Sequence, residues 1–290
     1  MNNYILLTDS SADLPLSIYS QLDIQVLPLS FLLDNKEYLN TPDESSIAFK
    51  EVYAQLRNGK NVTTSAVNVE AFRQAFLPYL KDGKDILYLG FSSGLSSTFS
   101  AGSIAAQELI EEYPERRIVC VDTLCASLGQ GMLVYLTAKK RLEGMNLDEA
   151  AEYAKKIRLN VCHWFTVDDL FFLKRGGRIS AATALVGSAL GIKPVLHVDN
   201  DGHLINISKA RGRKKAIAAL FEQIKERAID PSEQVIMISH GDCIDDANEL
   251  ANMVKNEFGI KEVIINYVGP VIGAHSGPGT LALFFIGKER

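Results

Sequence analysis

The chain has 290 residues, of which 47% are hydrophobic and 22% charged, with a formal net charge of −5 and a sequence pI of about 5.6. Such a composition suits a packed globular interior rather than a disordered chain. The acidic balance argues against a broad basic surface for nucleic acid or anionic membrane.

The length exceeds what one hydrophobic core usually organises, so two packed α/β lobes are expected, residues 1–160 and 161–290. Met1 to Leu7 runs directly into an apolar stretch without a charged leader, which reads as a cytoplasmic protein. Candidate strands at Tyr4 to Thr8, Gln25 to Leu33, Asp85 to Phe91 and Arg117 to Asp122 alternate with helical patterns, as in βαβ units with a mainly parallel sheet. Val69, Phe72, Phe76, Leu77 and Leu80 recur at helical spacing, and Pro78 is expected to kink that helix or end it early. A second amphipathic helix runs from Ile104 to Glu112 and is stopped by Pro114. Gly129 to Leu142 and Leu147 to Leu159 follow as long helices; Gly144 stops the first, Asn146 caps the second, and the pair bridges the lobes.

Pro194 to Val198 and His203 to Lys209 flank Asp199-Asn200-Asp201-Gly202, an antiparallel hairpin pattern. A second α/β lobe with antiparallel strands is therefore expected, with helices over Arg213 to Ala228 and Asp245 to Phe258 and strands over Gln234 to Ser239, Glu262 to Val268 and Thr280 to Ile286. The longest apolar runs, such as the last of these, fall short of the roughly 20 residues that span a bilayer. Cys120, Cys125, Cys162 and Cys243 lack metal-ligand spacing and read as reduced thiols, so no metal is expected.

In parallel α/β sheets ligands lie beyond the carboxyl ends of the strands, and the segments there are rich in hydroxyls. They are Thr8-Asp9-Ser10-Ser11, Thr63-Thr64-Ser65, and Ser92-Ser93-Gly94-Leu95-Ser96-Ser97-Thr98. Each hydroxyl could simply cap a helix. As a cluster beside a helix N-terminus they suit a small anion such as a carboxylate; a Walker A loop and a G-x-G-x-x-G fingerprint are both absent. Gly269 to Gly279 holds four glycines and two prolines around His275, read as a rigid, irregular loop whose imidazole could donate to a carboxylate. Arg175 and Arg178 surround a Gly-Gly bend, either as a solvated turn or as an anion clamp, and Lys209 to Lys215 forms a further basic strip.

These segments together resemble the DegV family of bacterial fatty-acid-binding proteins, the carrier subunits of the fatty acid kinase system often called FakB. The resemblance spans essentially the whole chain and rests on Thr8-Asp9-Ser10-Ser11-Ala12-Asp13-Leu14, Pro28-Leu29-Ser30, Ser92-Ser93-Gly94-Leu95-Ser96, the run 173–179, and Gly269 through Gly279. It implies a two-lobe α/β fold with one acyl chain in a tunnel between the lobes. It further implies a carboxylate held by Thr64, Ser96 and His275, and Arg175 and Arg211 near the pocket mouth, where a kinase subunit engages. No cofactor beyond the bound acid is implied; an ATP-binding fatty acid kinase subunit is the implied partner, and transient contact with a membrane surface stays open. The family's usual Thr-Ser-Gln-Pro-Ser is here Thr64-Ser65-Ala66-Val67-Asn68, and its Leu-Ser-Gly-Thr is Leu95-Ser96-Ser97-Thr98, so both loop paths are open to change although the hydroxyls remain.

Removing a C16 chain from water at roughly 0.8 kcal/mol per methylene approaches about 12 kcal/mol before ordering costs, so a dry slot suffices. Phe31, Leu32, Phe165, Phe171, Phe172 and an apolar helix over Leu185 to Ile192 are candidates to line it, though an ordinary core also explains each. Two other readings stay open: a stand-alone acyl- or phosphoryl-transfer enzyme with Ser96 as nucleophile and His275 as base, and a lipid sensor without transfer. Against the enzyme stands the absence of a Gly-x-Ser-x-Gly elbow and of an identifiable acid to orient His275.

Overall fold

The structure is a computed structural model that describes residues 4–180 and 191–290. Strands β1 (Tyr4–Asp9), β2 (Ile24–Leu27), β6 (Asp85–Gly90) and β7 (Ile118–Asp122) form a wholly parallel sheet in the order β2-β1-β6-β7. Their continuous apolar runs follow from cover on both faces. Leu6, Leu87 and Leu89 share a core with helices α5 (Leu128–Leu142) and α6 (Leu147–Ile157). The alternate residues Leu7, Ile86 and Tyr88 meet α3 (Val69–Lys81) and α4 (Thr98–Glu112).

The strand expected over Gln25 to Leu33 is two strands in two sheets. Pro28, which has no N–H to give a ladder, separates β2 from β3 (Ser30–Leu33). The latter pairs antiparallel with β4 (Lys36–Leu39) and with β5 (Val62–Ser65) in a small sheet of its own. Asp34 and Asn35 join β3 to β4 at φ 51° and 62°, the positive values a tight hairpin turn requires. Thr64 therefore lies on a strand, not in a loop.

Pro78 neither ends α3 nor shortens it, since the helix runs on to Lys81. It stands in the last turn on the exposed face, where water can satisfy the Gln74 carbonyl that loses its donor. Asn146 caps α6 as expected, its side chain accepting from Asp148 and Glu149 while Glu149 reaches back to the cap.

The remaining strands make one sheet in the order β10-β9-β8-β13-β11-β12, from β8 (Val161–Thr166), β9 (Ile192–Val198), β10 (Leu204–Arg211), β11 (Ile236–His240), β12 (Val263–Tyr267) and β13 (Leu281–Ile286). All neighbours are antiparallel except β11 and β12. One face packs on α8 (Arg213–Arg227) and α9 (Ile244–Phe258) through Trp164, Ile238 and Phe285. The other turns Phe165, Ala282 and Phe284 toward α5. Because α5 contacts β6 as well as β8, β11 and β13, it must be apolar around most of its circumference, and Leu128 through Val134 are all buried. Among the described residues no helix is long and apolar enough to cross a membrane.

Candidate functional site

The segment around His275 is a short helix, α10 (Pro270–Ser276), rather than the irregular loop expected. Pro270 opens it at a position where no N–H is needed, and Gly277 at φ 81° ends it. It packs on β5, on α2 (Phe49–Arg57) and on α7 (Leu170–Arg175). Gly273 allows the approach to α2, because a Cβ there would sit 2.5 Å from Tyr53 Oη.

This docking brings His275 Nε2 within 2.8 Å of Thr64 Oγ1 on β5. Ser96 comes from the loop after β6, where its Oγ lies 2.9 Å from Thr98 Oγ1 and accepts from Thr98 N at 3.2 Å, helping to start α4. Ser96 is thus partly the helix-end hydroxyl of the plain reading. The ring nitrogen that would serve it as a base is turned to Thr64.

Thr64, Ser96 and His275 all line one cavity of about 310 Å³ between the two larger sheets. Its apolar wall includes Phe91, Phe165, Val198, Leu204 and Phe284. Of the side chains expected to line a slot, Phe165 does so. Phe31 instead fills the core beneath α2 and α3, Leu32 and Phe171 are exposed, and Phe172 packs against that same core. A strand alternates faces and a short helix has one inward stripe, so neighbouring aromatic residues do not share a wall. The helix expected over Leu185 to Ile192 lies almost wholly outside the described residues.

Arg175 is exposed and stacks 5.0 Å over the Phe172 ring; Arg211, at the end of β10, is exposed as well. Neither is in the cavity wall. Arg178 is: its Nε donates to Leu95 O at 3.2 Å and its Nη1 to Gly176 O, tying the loop of Ser96 to the segment that touches His275. Burial holds this half-buried guanidinium below its usual value, and among the described residues no carboxylate pairs with it. Also unforeseen in the wall are Ser127, His163 and Ser239. Behind Ser127 lies buried Asp13. No group of acidic, His and Cys side chains among the described residues could hold a metal ion.

His275 is lowered to about 4, first by burial and then by Arg178 and Arg175. His197 is also lowered to about 4, chiefly by burial, and buried His163 shifts the same way. Unfolding returns these rings to about 6.5, so below that pH the unfolded chain binds more protons and stability falls. Asp13, raised to about 8 by burial, acts oppositely: its proton is lost more readily on unfolding. Three rings outweigh one carboxyl below about pH 6.5, and above it the carboxyl acts alone among these groups. Urea midpoints are expected to rise from about pH 4 to about 6.5 and to decline toward about pH 8; a flat profile would contradict this assignment.

Gly176 is a second enforced glycine, since a Cβ there would fall on His275 Nδ1. Gly176→Ala is expected to push the imidazole off Thr64, shifting its NMR resonances while the far-UV spectrum stays as it was. Unmoved ring resonances would show that the contact yields elsewhere.

The model of the uncharacterised DegV protein family matches residues 4–288. The chain belongs to the DegV family. A DegV domain-containing protein of Clostridium perfringens is 46% identical over 290 residues, covering 100% of this chain and 99% of that one. Among solved structures, a DegV family protein of Thermus thermophilus described for its fatty acid binding has a TM-score of 0.87 at 30% identity, over 98% of this chain and 99% of that one. DegV of Bacillus subtilis, described as a fatty acid binding protein, has a TM-score of 0.86 at 27% identity, over 99% of this chain and 100% of that one. The two-lobe DegV-like α/β architecture expected from the sequence is the one this chain shares with both structures.

Proposed function

We propose that this DegV chain binds one long-chain fatty acid, its carboxylate at Thr64, Ser96 and His275 with Arg178 as counter-charge, and its chain along the wall of Phe165 and Phe284. The observation that carries the reading is the pairing of Arg178 with its surroundings. A half-buried guanidinium with no acid beside it among the described residues, next to a neutral imidazole hydrogen-bonded to a hydroxyl, opens onto a largely apolar cavity. An anionic head with an alkyl tail satisfies both halves. The relatives described as fatty acid binding support it. On this reading the lobes divide at 160/161, the protein works in the cytoplasm with its four cysteines as free thiols, and it presents the carboxylate to a separate ATP-binding kinase subunit near Arg175 and Arg211.

Native mass spectrometry of protein purified from cells, with extraction of any retained acid, tests the binding. Ser96→Ala and His275→Ala are each expected to weaken palmitate binding by about 1.5–3 kcal/mol, the range for a hydrogen bond to a charged group. Presentation is tested by combining the protein with ATP, palmitate and a fatty acid kinase subunit: acyl phosphate is expected only in the full mixture. Acyl phosphate formed without the subunit would instead make this chain the enzyme.

A further inference from the structure

Besides the Thr64–His275 pair, the cavity wall carries hydroxyl groups that a plain hydrocarbon chain leaves unused. Ser127 Oγ lies 2.6 Å from Asp13 Oδ2 and 3.0 Å from Ser239 Oγ. Ser127 stands at the N-terminus of α5 with φ 53° and ψ −144°, a conformation disfavoured for any residue with a side chain and held here by its surroundings. Asp13 is also at a positive φ of 51°, and its carbonyl accepts from Asn266 Nδ2 at 2.8 Å. Ser239 on β11 is fully buried. Ser276, at the end of α10, lines the same cavity at 5% exposure, and its Oγ has no hydrogen-bond partner among the described residues.

A count of protons shows what this wall offers. His163 contributes no donor to the cavity, because its Nδ1 is 2.9 Å from Val161 O and its Nε2 accepts from Ala126 N at 3.4 Å. Burial raises the Asp13 carboxyl to about 8, so near neutral pH it carries a proton. Asp13 then donates to Ser127, Ser127 to Ser239, and the Ser239 proton is left over. If Asp13 ionises, the chain runs the other way and Ser239 offers lone pairs instead. In either state Ser239 keeps hydrogen-bonding capacity beside the cavity, and Ser276 adds more. Against methylene groups alone this capacity is wasted at a cost in binding.

We infer that the cavity holds a second, polar subsite formed by Ser127, Ser239 and Ser276, which receives an oxygen substituent on the acyl chain, so that the preferred ligand is a monohydroxylated long-chain acid. The inference rests on the fatty-acid reading and specifies its ligand.

The test is a hydroxyl scan on the full, delipidated chain. Dissociation constants are measured for hexadecanoic acid and for its monohydroxylated positional isomers. One isomer, or two adjacent ones, is expected to bind about fivefold to tenfold more tightly than the parent acid, the worth of one added hydrogen bond. The other isomers bind more weakly, because their hydroxyl meets an apolar wall. Ser239→Ala and Ser276→Ala are expected to shrink the ratio between the favoured isomer and the parent acid. Weaker binding by every isomer overturns the subsite while leaving fatty-acid binding intact. A favoured isomer whose advantage survives both substitutions overturns the assignment to these serines. If neither the parent acid nor any isomer binds, both readings fall together.

Discussion

Arg178→Met is expected to cost more palmitate affinity than either Ser96→Ala or His275→Ala, about 2–5 kcal/mol, the range for truncating one member of a desolvated charge pair. The hydroxyl and imidazole are neutral groups at pH 7, so Arg178 is the one formal charge of these four side chains available to offset a carboxylate. Methionine keeps the apolar stem and removes the fork. Without ligand the same variant is expected to be no less stable than the parent, since the guanidinium is partly desolvated and pairs with no acid among the described residues. Calorimetric titration at pH 7 alongside urea denaturation reads both quantities. Unaltered affinity would remove Arg178 from the head site.

The proposed head site is only partly legible in the sequence. Thr64, Ser96 and His275 stood out as hydroxyls and a histidine in glycine-rich or strand-following segments, and family resemblance singled them out from their neighbours. The choice between Arg175 and Arg178 was not legible. Both flank the same glycines, and which one points inward depends on Gly177, whose φ of 72° turns the chain after α7. Ser127 gave no signal, because its place in the wall follows from a positive φ that only the packed fold imposes. Ser239 lies in an apolar strand, where period-two alternation alone does not say which face borders a cavity.

For the fold, length of pattern decided what could be read. Strands β1, β6 and β7 are unbroken apolar runs, and the hairpin of β9 and β10 was signalled by its polar turn. Strands β4 and β5 are four residues each with mixed exposure, too short to show a period. Helix α2 could have been found: Phe49, Val52, Tyr53 and Leu56 are buried at helical spacing. Helix α4 begins six residues before the Ile104 expected, because Thr98 to Ser103 is, apart from Phe99, built of small residues that carry little periodic signal.

The largest expected loss of stability follows from the aromatic cluster that seats α3 on the parallel sheet. Phe72 is fully buried, with ring centroids 5.0 Å from Tyr88 and 5.5 Å from Phe76. Gly102 of α4 closes over it so tightly that a Cβ there would come within 3.0 Å of the Phe72 ring. Neighbours so constrained collapse poorly into a void, so Phe72→Ala is expected to cost about 3–5 kcal/mol, read as a lower urea midpoint at unchanged slope. None of these residues lines the cavity, so the folded fraction should still bind palmitate. Ligand held at about 100 times its dissociation constant should then return about 2.7 kcal/mol by mass action. A variant that loses stability but gains nothing from palmitate would show that the cavity depends on this cluster.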